Sequence, residues 1–184
     1  MIKPFIALPD QKIRQASKEV ISFDKSLEKL VEDLVDTAAV QAEPIALGLA
    51  APQIGVFKRV FIARIRNKFK PFVNPKILKS SKDRANLLEG CFSVGGIYGS
   101  VSRPAEIDVE AFDQYGKKFV KHFKGLEAKI IQHELDHLNG GLFIDHVKKQ
   151  NGKLFKVEKT KKGKEELVEL PLLSWNDKTF EVLK

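Results

Sequence analysis

The sequence predicts an α+β protein: mixed or antiparallel β-sheets around a buried central helix that carries a His-Glu-x-x-His motif. Helical periodicity appears in two well-separated stretches, Asp24 to about Gln41 and Leu126 to Leu138. Short alternating runs and turn signals lie elsewhere, not repeating βαβ units.

Each element rests on its own pattern. Leu27, Leu30, Val31, Leu34, Val35 and Ala38 recur at helical spacing, with Glu28, Glu32, Asp33 and Asp36 opposite. This first helix therefore lays one face on a core, with Asp24 or Ser22 as its cap. Arg59 to Arg66 reads as a strand, and Phe72 to Leu78 as another, interrupted at Pro75. Ile107, Val109 and Ala111 alternate with Asp108 and Glu110, and Asp113-Gln114-Tyr115-Gly116 turns the chain into Lys118 to Phe123. That pattern is a hairpin. In the second helix Leu126, Ile130, His133 and His137 share one face, and Ile131, Leu135 and Leu138 another, with Gly140 placed to end it. A helix apolar on most sides is a buried one.

Composition narrows the class. A chain of 184 residues suits one compact domain, and 43% hydrophobic residues with thirteen Phe can build a real core. The single cysteine, Cys91, excludes an internal disulfide and fits a reducing compartment. No apolar run approaches the ~20 residues that span a bilayer, and the stretch around Phe5 to Leu8 is too short for a signal peptide. The expectation is a soluble cytoplasmic protein with no membrane partner, or an organellar one whose transit peptide has been trimmed. The formal charge is +8, but the lysines are scattered and no groove-reading motif accompanies them. We expect no DNA partner, and a general attraction to an RNA-rich body such as the ribosome stays open.

The strongest chemical signal is His133-Glu134-Leu135-Asp136-His137. Two His at i and i+4 project from one helical face toward one metal ion, and the Glu after the first His can reach a water on that ion. Surface placement by chance is disfavoured, because two His and two acids are poor core filler unless paired or ligated. A catalytic site needs a third protein ligand. Cys91, Glu158 and His146 are the candidates. Cys91 lies in Glu89-Gly90-Cys91-Phe92-Ser93, with further glycines at 95, 96 and 99, and this Gly-rich setting tips the choice to it. A third segment, Gly48-Leu49-Ala50-Ala51-Pro52-Gln53-Ile54-Gly55, brings small residues and one amide, Gln53, suited to meet an oxyanion.

At this point the chain resembles the peptide deformylases. That family carries a Gly-x-Gly-x-Ala-Ala-x-Gln segment, a Glu-Gly-Cys-x-Ser segment and a Gln-His-Glu-x-Asp-His helix, in that order. Here Ala46 to Gln53, Glu89 to Ser93 and Gln132 to His137 stand in their places. Pro9-Asp10 with Arg14 also looks like the family's opening, so the resemblance spans roughly residues 6 to 147. It implies a metal-dependent hydrolase that takes the formyl group from the N-terminal methionine of new proteins and releases formate. Its partners would be N-formylmethionyl nascent peptides. It implies that Cys91, His133 and His137 hold Fe(II), with Zn, Ni or Co also accepted, and that Glu134 moves the proton. Gln53 and the backbone N–H of Phe92 would meet the oxyanion. Leu47, Gly48, Phe92 and Ile130 would border the methionine pocket, and Glu89 and Asp136 would orient ligands or loops.

The chain departs from the family pattern at Ala46, Phe92, Gly95 and Tyr98, none of them a ligand. These departures bear on how the peptide beyond its first residue is held. Two rival readings remain: a zinc endopeptidase with Glu158 as third ligand, and a basic ribosome-binding factor whose structural metal recruits His146 or His122. Residues 1–148 read as the catalytic domain and 149–184 as a basic extension. Lys148 to Lys184 holds ten Lys against six acids. Phe155 to Glu158 and Glu166 to Leu170 read as the strands of a hairpin packed on the domain, with a turn at Thr160 to Lys164, an end at Pro171 and Trp175 as cover.

Overall fold

The structure, a computed structural model, describes residues 1–41, 45–159 and 165–170. Its first helix, α1, runs Lys25–Ala39, and Asp24 caps it by accepting from the backbone N–H groups of Ser26 and Leu27. Asp24, not Ser22, therefore closes the orphan donors of the first turn. The apolar stripe of α1 packs Leu27, Leu30, Val31, Leu34 and Ala38 into a core cluster with Leu49, Val60, Ile62 and Val73.

Among the described residues nine strands follow in two sheets. β1 (Gly48–Ala50), β2 (Val60–Ile65), β3 (Lys68–Ser80), β6 (Glu106–Phe112) and β7 (Lys118–Lys124) form one, in that order. β4 (Arg84–Gly90), β5 (Ile97–Pro104), β8 (Leu154–Lys159) and β9 (Glu165–Glu169) form the other. Every ladder is antiparallel. Among the described residues two further helices are α2 (Gly125–Leu138) and α3 (Phe143–Lys149).

Three local outcomes differ from the sequence reading. β3 is one strand, longer than expected, and the interruption at Pro75 is a bulge within it. The ladder to β6 shifts register between Val73 and Lys76, so the residue without an N–H sits in a bulge. Asn74 takes a positive φ of 49° there, and its amide exchanges two 2.8 Å hydrogen bonds with the backbone of Val20. Second, β4, β5 and α3 carried no pattern we recognised. Third, Leu126 is exposed rather than buried, because the first turn of α2 borders a cavity.

α2 joins both sheets. Ala128, Ile131, Leu135 and Leu138 pack with Phe61, Phe72, Val109 and Phe123 of the five-stranded sheet. Its other side carries the motif residues toward the β4–β5 ladder, as detailed below. Gly140 follows with φ 75°, and a Cβ there would overlap the carbonyl of Arg14, so only glycine fits this chain crossing. β8 pairs with β5 as well as with β9, and Leu154 and Leu170 enter a third core cluster with Leu8, Ile13, Phe143 and Val147. The expected turn at Thr160 to Lys164, the end at Pro171 and the cover by Trp175 lie outside the described residues.

Candidate metal centre

Three donors converge. Cys91 follows the end of β4, while His133 and His137 lie one turn apart on α2. Their ligand atoms all lie within 4.8 Å of one another, and Sγ of Cys91 is 3.2 Å from Nε2 of His137. A tetrahedral ion with metal–sulfur near 2.3 Å and metal–nitrogen near 2.05 Å separates S from N by about 3.5 Å. The spacing suits one ion of that kind.

The chemistry of the donors suits it too. Burial pushes the Cys91 thiol up, but His137 and His133 outweigh burial and draw it down to about 5. A thiolate, the ligating form, thus prevails at neutral pH. Glu89 accepts from Nδ1 of His133 at 2.8 Å, which leaves Nε2 of that ring as its free lone pair. Arg103 in turn clamps Glu89 through Nε at 2.6 Å and a terminal nitrogen at 2.9 Å. Burial raises the Glu89 carboxyl, yet Arg103 and His133 overcome it and hold it at about 2. A second terminal nitrogen of Arg103 lies 2.8 Å from Asp136, which also faces Nε2 of His146 at 2.9 Å. One buried guanidinium therefore pairs with both acids that flank the donor histidines.

Glu134 stands apart from this network. It is 4% exposed, Oε2 meets no partner among the described residues, and burial pushes its carboxyl up to about 7 against the pull of His133 and His137. The backbone of Gly48 lies against it so closely that a Cβ there would overlap the carboxyl. Gly48 thus gives that segment its close approach to Glu134.

Gln53 sits in the short 3₁₀ turn Ala51–Ile54 after β1. Its Oε1 accepts from the Ala50 N–H at 2.9 Å, and Nε2 lies 3.3 Å from Ser93 Oγ and 3.5 Å from Cys91 Sγ. The amide is thereby fixed with its donor end beside the thiolate. Phe92 stacks on Phe5, ring centroids 5.0 Å apart. A cavity of about 340 Å³ is bordered by Leu47, Gly48, Gln53, Phe92, Ile130 and Glu134 together with Cys91 and His133.

The other candidate ligands are elsewhere. Glu158 lies on β8 in an ion pair with Lys156 at 2.6 Å, outside the three-donor group. His122 faces Asp108 at 2.8 Å and Glu106 at 3.3 Å on the β6–β7 hairpin, and His146 is held by Asp136. Neither rival reading keeps its extra ligand. The sequence reading missed Arg103 and Lys129. Both are buried charges on patterned elements: Arg103 falls on the inward positions of β5 with Ile97, Gly99 and Val101.

An α+β chain with a thiolate, two imidazoles and a buried carboxyl around one cavity has the build of a mononuclear metal hydrolase. The family model for polypeptide deformylases matches residues 2–153. The chain belongs to the peptide deformylase family. The peptide deformylase of Rhizobium meliloti is 41% identical over 153 residues, covering 80% of this chain and 86% of the relative. That of Brucella suis is 42% identical over 153 residues, again 80% and 86%. The crystal structure of a peptide deformylase from Legionella pneumophila superposes with a TM-score of 0.73 at 40% identity, covering 79% and 86% of the two chains. The peptide deformylase of Thermotoga maritima gives 0.75 at 32% identity, covering 79% and 97%.

Proposed function

We propose that this chain hydrolyses the N-formyl group from the N-terminal methionine of newly synthesised proteins, with Cys91, His133 and His137 as the ligands of a divalent ion. The observation that carries the reading is the three-donor group with Glu134 buried beside it, in a member of this family. Iron(II) is the ion we assign, and zinc, nickel or cobalt would accept the same donors.

When bound by Cys91, His133 and His137, the ion would supply Lewis acidity that makes water a better nucleophile. Glu134 accepts a proton from water as the water oxygen attacks the formyl carbon. The Gln53 amide and the Phe92 N–H donate to the oxyanion that forms. Glu134 then returns the proton to the departing nitrogen as the C–N bond breaks, giving formate and a free amine. Glu89, held by Arg103, keeps the His133 ring in the tautomer that presents Nε2. Leu47, Gly48, Phe92 and Ile130 border the space for the methionine side chain, and we take α2 as the central helix of the fold.

We further assign residues 1–148 to catalysis and 149–184 to a basic extension whose lysines keep its strand edge solvated against aggregation, with attraction to ribosomal RNA as the second reading, in a cytoplasmic or organellar setting. Among the described residues no helix is long and apolar enough to cross a membrane. The test of the ligand set is Cys91→Ser. A serine hydroxyl is not ionised near neutral pH, so both turnover of formyl-Met-Ala-Ser and metal retention should collapse. Full activity in that variant would sink the assignment.

A further inference from the structure

Among the described residues, one lysine is both buried and part of the cavity wall. Lys129 stands on α2, one turn before His133, and is 4% exposed. Its Nζ donates to the backbone carbonyl oxygen of Ala85 on β4. An ammonium has three N–H donors, and Ala85 is its one hydrogen-bond acceptor among the described residues. Burial holds the amine below the usual lysine range, with Glu89 pulling the other way. Its neighbours in the wall are mostly apolar, among them Leu47, Leu87, Leu88, Leu126 and Ile130.

A methionine thioether is a weak acceptor and gives such an ammonium little in return. A sulfoxide oxygen is a strong one. We propose that Lys129 adapts the side-chain pocket to N-formyl-methionine sulfoxide, its free N–H groups donating to the sulfoxide oxygen. Methionine sulfoxide is a common oxidative product of methionine, so the substrate arrives already oxidised. The reaction stays a hydrolysis: water adds, the formyl C–N bond breaks, formate and the amine leave, and the S=O bond is untouched. The proposal rests on the deformylase reading above.

The test compares kcat/KM for formyl-methionine, formyl-methionine-sulfoxide and formyl-norleucine versions of one tripeptide with the metal-loaded protein. The wild type should give a sulfoxide-to-norleucine ratio above about one fifth. A lower ratio overturns the proposal, because a pocket lacking a donor rejects a buried unpaired acceptor by ~5-fold or more. In Lys129→Met the ratio should fall at least ~5-fold, and in Lys129→Gln, which keeps an N–H donor, it should fall less. An equal ratio in all three proteins overturns it as well. Should Lys129→Met fail to fold, the wild-type ratio and the Gln variant decide. Failure on the formyl-methionine peptide itself would instead sink the deformylase reading.

Discussion

Nδ1 of His133 donates to Glu89 Oε2 at 2.8 Å, joining the tail of β4 to the middle of α2. The contact aims the opposite nitrogen of the ring at the Cys91 thiolate and sets the spacing of the donor group. Glu89 stays ionised because Arg103 meets both its oxygens. A residue of β5 thus governs a ligand on α2 through one acid.

Arg103→Met should therefore destabilise the protein strongly. It strips the guanidinium from buried Glu89 and half-buried Asp136 and leaves them only His133 and His146, a defect that costs about 3–5 kcal/mol. In a chain of this size we expect Tm to fall by roughly 10 °C. A thermal melt that moves by less than about 2 °C would mean that solvent already screens both acids.

In the metal-free protein, Glu134 should make stability depend on pH in a defined direction. Its folded pKa, about 7, is raised from 4.5. Its stabilising contribution is then fully present below pH 4.5 and lost as pH rises through about 7. Relative to Glu134→Gln, the wild type should lose on the order of 3 kcal/mol between pH 4 and pH 8. Glu89, drawn down to about 2, acts oppositely and loses its contribution only as pH falls from 4.5 through 2. Denaturant titrations of both proteins across this range check the sign.

With metal bound, Glu134→Gln should keep the ion yet lose at least ~10²-fold in kcat/KM, the scale of a missing general base. Metal analysis and turnover on the same preparation separate the two effects. Parallel loss of ion and activity would make Glu134 structural.

Gly48→Ala should imitate that defect from the other side. The added methyl occupies the space of the Glu134 carboxyl and turns it away, while Cys91, His133 and His137 are untouched. We expect metal content to stay near one per chain and kcat/KM to drop about 10²-fold. Unchanged turnover would show that the carboxyl moves aside without consequence.

The pairing of His133 with His137 was legible in the sequence because helical geometry dictates that they share a face. Cys91 was legible because its Gly-rich setting marked it. Gln53 and Gly48 were visible as a segment, but not the contact between Gly48 and Glu134, which joins residues far apart in the chain. Arg103 and Lys129 escaped because charged residues are read as solvent-facing. Only the inward alternation of β5 marks Arg103, and β5 itself was missed, its apolar run diluted by Gly99, Ser100 and Ser102. The interruption at Pro75 was legible, but its form was not, because the β3–β6 bulge is a property of the pair.

A metal held by Cys91, His133 and His137 should make this protein release formate from formyl-methionyl peptides. The direct measurement is an anaerobic assay on formyl-Met-Ala-Ser, with formate and metal content quantified on the same sample. Formate release should rise in proportion to bound divalent ion, saturating at one per chain and vanishing with chelation. A protein carrying one ion per chain that releases no formate would contradict it.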